Sequence, residues 1–142
     1  MPAGVYLLAR VEGDGGWLTR AAEQPAWRDP ETGFVRRSLT PSGGAPGGTP
    51  LELVWGELPP GAEIAYPAAS YSFIAEHQIV MLEGTLSLTH GGTVHELHPG
   101  DCLRFGPPRD VVYRNEGGTT CRYLVAVLRA TGEGRRDPVV AG

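Results

Sequence analysis

The fourteen residues 85–98, TLSLTHGGTVHELH, leave little choice of conformation. Apolar and polar side chains alternate on either side of Gly91-Gly92, which is the period of a strand and not of a helix. Two glycines in a row suit the tightest antiparallel hairpin, because the central positions of such a turn need positive φ. Folding the segment at Gly91-Gly92 puts Leu86, Leu88 and Leu97 on one face, and Thr85, Ser87, Thr89, Glu96 and His98 on the other. One face is core and the other is wet.

The same texture extends in both directions. LELVWGEL at residues 51–58 reads as a strand and stops at Pro59-Pro60-Gly61. Residues 72–83, SFIAEHQIVMLE, read as a long strand ending in a turn at Glu83-Gly84. After the turn Pro99-Gly100-Asp101 come CLRF, GPP, VVYRN, EGGT and CRYLVAVLRA. The 21 Gly and 13 Pro punctuate apolar runs, and no amphipathic helical period interrupts them, so the chain is expected to be all-β, a sandwich or barrel. Its 142 residues suit a single domain. Within it, residues 1–40 hold short N-terminal strands (GVYLLARVE and GFVRRSLTP). Residues 41–50, PSGGAPGGTP, read as a flexible loop, 51–131 as the barrel and 132–142 as a frayed tail.

Several function classes fall away on composition. All 12 basic residues are Arg, which removes Schiff-base chemistry, pyridoxal phosphate attachment and the P-loop, each of which needs a lysine amine. A net charge of −4 offers no general attraction to nucleic acid or anionic lipid. No apolar run approaches the length of a membrane span, and residues 1–10 lack the form of a signal peptide. A cytoplasmic protein is the expectation. Cys102 and Cys121 both lie in apolar strand-like runs and are expected to be free and buried.

The order strand, LEG, hairpin, PGD, strand, GPP, strand, Asn over residues 50–130 resembles the cupins, whose fold is the double-stranded β-helix, or jelly-roll barrel. The resemblance implies that fold here, with extra N-terminal strands. Cupins hold a divalent metal with two His and a Glu from a first motif and a His from a second. Along the second motif, Gly100, Gly106, Pro108 and Asn115 keep the spacing, but Val111 stands in the place of the metal histidine. In the first motif, ending at Gly84, His77 takes the place of the glutamate. Ser70 and Ser72, or Pro67 and Ala69 on the other count, stand where the paired histidines belong. One imidazole nitrogen does not make a transition-metal site. No metal or other cofactor is therefore expected.

RAAEQPAWRDPETGFVRRSLTP at residues 20–41, with the stretches around LEG and PGD, further resembles the C-terminal cupin sensor domains of bacterial helix-turn-helix transcriptional regulators. Those regulators carry a helical DNA-binding domain ahead of the cupin. Nothing of that period occurs here, so no nucleic acid is expected to bind these residues.

Alternation supplies a provisional lining. If His77 points inward, so do Ile79 and Met81, while Gln78, Val80 and Leu82 face out. That partly apolar outer face needs cover, either from the N-terminal strands or from a second subunit, and the resemblance to cupins implies a homodimer. Val111, Tyr113 and Asn115 share the inner face of their strand. On CLRF either Leu103 and Phe105 point in, or Cys102 and Arg104 do, and the second choice would give the cavity a carboxylate or phosphate hook. Trp55 belongs to a core strand, and Trp17 and Trp27 are expected to anchor the N-terminal region.

The candidate ligand-binding residues are thus His77, Tyr113, Ser72, Ser70, Tyr66, Met81, Val111 and Arg104. Such a set suits a small organic molecule bound without metal, in a sensory or regulatory role. A cupin enzyme, an isomerase or a metal-dependent oxygenase using His77, is the alternative, and a purely structural barrel with a filled interior is a third. His77 itself remains open between a ligand contact, a catalytic or metal role, and a core histidine bonded to a backbone carbonyl or buried water.

Overall fold

Ten strands and two short 3-10 turns make up the described residues (17–41, 49–106 and 108–130) of the computed structural model. The strand expected at residues 4–12, most of the Gly-rich stretch, and the tail lie outside them. In chain order the strands are β1 (Ala26–Arg28), β2 (Val35–Ser38), β3 (Leu51–Leu58), β4 (Glu63–Tyr66) and β5 (Ile74–Glu83). They continue with β6 (Leu86–His90), β7 (Thr93–Leu97), β8 (Cys102–Phe105), β9 (Val111–Arg114) and β10 (Cys121–Arg129). The 3-10 turns span Ala21–Glu23 and Ala68–Tyr71.

All pairings are antiparallel and they build two sheets, ordered β1-β2-β3-β10-β5-β8 and β4-β9-β6-β7. The Gly91-Gly92 hairpin forms as the sequence dictates, with Leu86 opposite Leu97 and both glycines at positive φ. The turn at Glu83-Gly84 does something else. It carries the chain from β5 in the larger sheet to β6 in the smaller one, so these two strands are not partners. Gly84 sits at φ 77°, and a Cβ there would come within 2.9 Å of the Cys121 Cα, so both conformation and space demand glycine.

The inner faces of the sheets meet in one core. Leu58, Ile79 and Met81 from the larger sheet, and Leu86, Leu88 and Val111 from the smaller, are fully buried. Each such side chain contributes about 1.5–3 kcal/mol of transfer free energy. On β8 the apolar pair turns inward: Phe105 is buried opposite His77, and Leu103 packs against the core. Cys102 and Arg104 therefore lie on the outer face. Both cysteines are free, but Cys102 is exposed and only Cys121 is buried, which corrects the expectation of two buried thiols. Trp55 also faces outward, half-buried beneath the Arg37 guanidinium at 5.0 Å, and Trp17 and Trp27 are exposed. The strands β1 and β2 extend the larger sheet beyond β3 and do not lie over its outer face.

Asn115, fully buried, ties the two sheets together. Its Nδ2 donates to the carbonyls of Leu58 and Thr119, both at 2.8 Å, and its Oδ1 accepts from the Gly117 N–H at 2.9 Å. Its backbone closes the turn after β3, donating to the Ala62 carbonyl and accepting from the Gly61 N–H. Asn115→Ala strips the Leu58 carbonyl of this buried partner, so a loss of about 2–3 kcal/mol is expected in urea unfolding. Asn115→Asp places a carboxylate against two carbonyls, and at neutral pH it is expected to unfold at still lower urea than the alanine variant.

Candidate functional site

A cavity of about 110 Å³ opens between the sheets. Its polar lining is Tyr66 at the end of β4, Tyr71 in the 3-10 turn, Tyr113 on β9, Tyr123 on β10, His77 on β5 and Arg36 on β2. Val54 and Val125 supply apolar wall. The space exists because of Gly56. Tyr123 lies directly opposite it on the neighbouring strand, and a Cβ on residue 56 would come within 2.4 Å of the Tyr123 Cε1. The ring thus covers the bare glycine backbone, a device that lets a large side chain lie flat on a sheet.

The aromatic side chains run in an unbroken chain of contacts. Tyr123 packs on Tyr113 at 5.5 Å between ring centres, Tyr113 on Tyr66 at 5.6 Å, and Tyr66 on Tyr71 at 6.0 Å. Tyr71 meets the His77 ring edge-on at 4.6 Å, and His77 stacks on Phe105 at 4.9 Å with the planes 6° apart. Such offset and edge-to-face pairs each contribute about 0.5–1.5 kcal/mol beyond area burial and fix the ring orientations.

None of the four tyrosine hydroxyls, nor either nitrogen of His77, bonds to another described residue. Among the described residues no backbone carbonyl accepts from His77, and its partners there are rings. Burial pushes the Tyr71 phenol up and out of reach of neutral pH, and raises Tyr66, Tyr113 and Tyr123 as well. His77 moves the other way, down to about 4, first because burial penalises its cation and then because His90 is nearby. At neutral pH the site therefore presents four phenols and a neutral imidazole.

A second recess, of about 10 Å³, lies on the far side of His77 between His90, Phe105, Arg109 and Val111. Here His77 and Val111 come together, as their motif positions require of the cupin metal slot. The donors present do not fit that metal: Val111 brings only an isopropyl group, and the Glu76 carboxylate on the rim is taken by Arg104 and Gln78, so it does not converge with the His77 and His90 imidazoles. No group of three His, Cys, Asp or Glu that could hold a metal occurs among the described residues.

Of the residues singled out from sequence, the structure brings His77, Tyr66 and Tyr113 to the larger cavity and Val111 to the smaller recess. Ser70 and Ser72 are exposed. Motif spacing counts through this segment as if it were strand, but it coils into a 3-10 turn, and the residue between them, Tyr71, is the one that lines the cavity. Met81 is buried core and lines neither space. Arg104 is 74% exposed and pairs with Glu76 at 3.0 Å on the outer face, because register places Phe105, not Arg104, beside His77. Sequence reasoning missed Arg36, Tyr71 and Tyr123. The glycine inside strand 51–58 was the available signal for Tyr123, since such a glycine marks close approach by a neighbour.

No protein-family sequence model matches the chain, and no curated protein matches it by sequence. Solved structures do resemble it. The cupin_2 domain of an XRE-family transcriptional regulator from Enterobacter cloacae is 19% identical, over 69% of this chain and 98% of that one, with a TM-score of 0.59. An HTH_3-family transcriptional regulator from Vibrio cholerae is also 19% identical with a TM-score of 0.59, over 72% of this chain and 55% of that one. The polyketide cyclase RemF from Streptomyces resistomycificus is 23% identical over 86% of this chain and 80% of that one, with a TM-score of 0.58. Two antiparallel sheets in this order, with the motif glycines and Asn115 at their turns and these likenesses across most of the barrel, give the chain the cupin fold.

Proposed function

We propose that this chain binds a small organic molecule in the cavity between its sheets, without a metal, as a sensory or regulatory cupin. One observation carries the reading: four phenols and a neutral imidazole surround a cavity of about 110 Å³ without hydrogen-bond partners among the described residues. Each buried polar group left unpaired costs about 1–3 kcal/mol, so a molecule offering acceptors and donors to them gains that back on entry. Size narrows the class. A cavity of about 150 Å³ holds a benzene molecule, so the occupant here is one small ring or a short branched chain. The likeness to cupin domains of regulators supports the sensory role.

A second reading, an enzyme using His77, draws on the likeness to a polyketide cyclase and on the contact between His77 and Tyr71. It is the weaker one. A base held down to about 4 drives proton abstraction poorly at neutral pH, and among the described residues no carboxylate lines the cavity to orient it.

A second copy of the chain is proposed as cover for the outer face of the larger sheet. Leu53, Leu82 and Leu128 are exposed there, and β1 and β2 extend the edge without covering it. The surrounding charges are of both signs and already paired, as in Arg122 with Glu57 and Glu83, which suits contact between like surfaces. Sedimentation equilibrium is expected to give twice the 15.1 kDa chain mass, and Leu53→Glu with Leu128→Glu to return it to one; a wild-type monomer would end the proposal.

Phenol titrated by ligand-detected NMR tests the binding reading. Saturable binding is expected, weakened about 10-fold in Tyr113→Phe, the equivalent of one hydrogen bond, and abolished by filling the wall with Val125→Phe. Failure of phenol, cyclohexanol and other single-ring compounds to bind, or binding indifferent to Val125→Phe, sinks it. The state of His77 has its own signature. Its folded pKa lies below the unfolded value of 6.5, so the unfolded chain takes up the proton first and stability falls as pH drops from 6.5 towards 4. Urea midpoints across that window are expected to fall with pH in the wild type and to flatten in His77→Phe.

A further inference from the structure

Among the described residues, the larger cavity has one cation at its edge, and that cation has no ion-pair partner. Arg36 sits in a row of facing residues that crosses the larger sheet on its inner side: Trp27, Arg36, Gly56, Tyr123 and Met81. Its neighbour Arg37 points to the other face, where it stacks over Trp55 and donates to Gln24 at 2.8 Å. Among the described residues, every other arginine on a strand has an acceptor. Arg28 bonds the Gly33 carbonyl, Arg104 pairs with Glu76, Arg114 with Glu63, Arg122 with Glu83 and Arg129 with Glu52. Arg36 has neither ion pair nor hydrogen bond with a described residue, and no Asp or Glu lines the cavity beside it. The carboxylate whose field reaches the neighbouring Tyr66 is Asp29, which is engaged by the Thr32 hydroxyl at 2.7 Å and the Glu31 N–H at 3.1 Å. Arg36 is exposed yet lines the cavity, so its guanidinium stands at the mouth. Its field also reaches Tyr66, working against the upward push of burial on that phenol.

Resting on the reading of the cavity as a ligand site, we propose that its ligand is a small carboxylate. The acid group is gripped at the mouth by Arg36, and a single-ring or branched apolar body enters between Tyr66, Tyr113, Tyr123 and the two valines. The planar fork of arginine matches a carboxylate with two parallel hydrogen bonds, and the interaction strengthens as the mouth dries on binding. One guanidinium balances one negative charge. A phosphate carries more charge and commonly takes a helix N-terminus or several cations, neither of which this mouth provides. The tyrosine hydroxyls then serve whatever polar group the body carries, which makes the site selective at both ends.

Benzoate and its neutral isostere benzamide separate this proposal from the one beneath it. Both are titrated into the wild-type chain, Arg36→Gln and Arg37→Gln by calorimetry at low salt, with urea midpoints confirming that each variant is folded. Benzoate is expected to bind at least about 10-fold tighter than benzamide, an advantage typical of a charge-assisted hydrogen bond. Arg36→Gln is expected to erase that advantage, weakening benzoate at least about 10-fold more than benzamide, and Arg37→Gln to alter neither. Equal binding of the two compounds, or an advantage that survives Arg36→Gln, overturns the carboxylate assignment while the cavity remains a ligand site. Binding of neither compound, nor of the phenol used above, overturns both.

Discussion

The side chain of Asn115 bonds three backbone groups, one at the end of β3 and two in the loop that follows β9, and the way the two sheets meet depends on that junction. It joins the end of β3, in the larger sheet, to the loop that leaves β9 in the smaller one. Two sheets packed only through apolar side chains are free to slide, because burial has no direction. Hydrogen bonds to a buried amide do have direction, so Asn115 fixes where the sheets meet at one end. Gly84 fixes the crossing from β5 to β6, where a side chain would collide with Cys121. With both junctions set, the inner faces must confront each other in one register, and Tyr113, Tyr123 and His77 are brought together.

The interior that results is not filled in the ordinary way. A core of Leu and Ile closes one end, and a chain of rings from Tyr123 to Phe105 takes over towards the other. Rings are stiff, and their edge-to-face preferences resist collapse, so the space between them persists. Gly56 adds to this by letting Tyr123 lie against bare backbone. The outcome is a cupin fold with a recess of about 10 Å³ beside His77 and Val111 and a larger cavity next to it, with His77 and Tyr71 lining both. The same residue that stands in a metal ligand's place now carries neutral nitrogens between two rings.

Much of the fold was legible because strands advertise themselves locally. The Gly91-Gly92 turn, the leucine face of the hairpin, the Pro59-Pro60-Gly61 stop and the inward face of Val111, Tyr113 and Asn115 all follow from period and turn chemistry, and the structure has them. Half of the site was legible for the same reason, since His77, Tyr66 and Tyr113 lie in or at the end of strands whose alternation can be counted. The failures share a cause as well. Ser70 and Ser72 lie where a strand gives way to a 3-10 turn, and one residue of phase there exchanges Tyr71 for its neighbours. Arg104 was a choice between two faces of a four-residue strand, and only its pairing with β5 decides it.

The sequence by itself determined the strand pattern, the turns, the valine in a metal donor's place at position 111 with the change of donor at 77, and the inward-facing Asn115. These are properties of residues and their near neighbours, so they survive without coordinates. Only the tertiary structure decided which residues share the cavity. Tyr123 and Arg36 reach it through the partners of Gly56 on either side, from strands far apart in the chain. The cation at the mouth is therefore Arg36 and not Arg104, because pairing between distant strands sets the inner face and no local pattern records it.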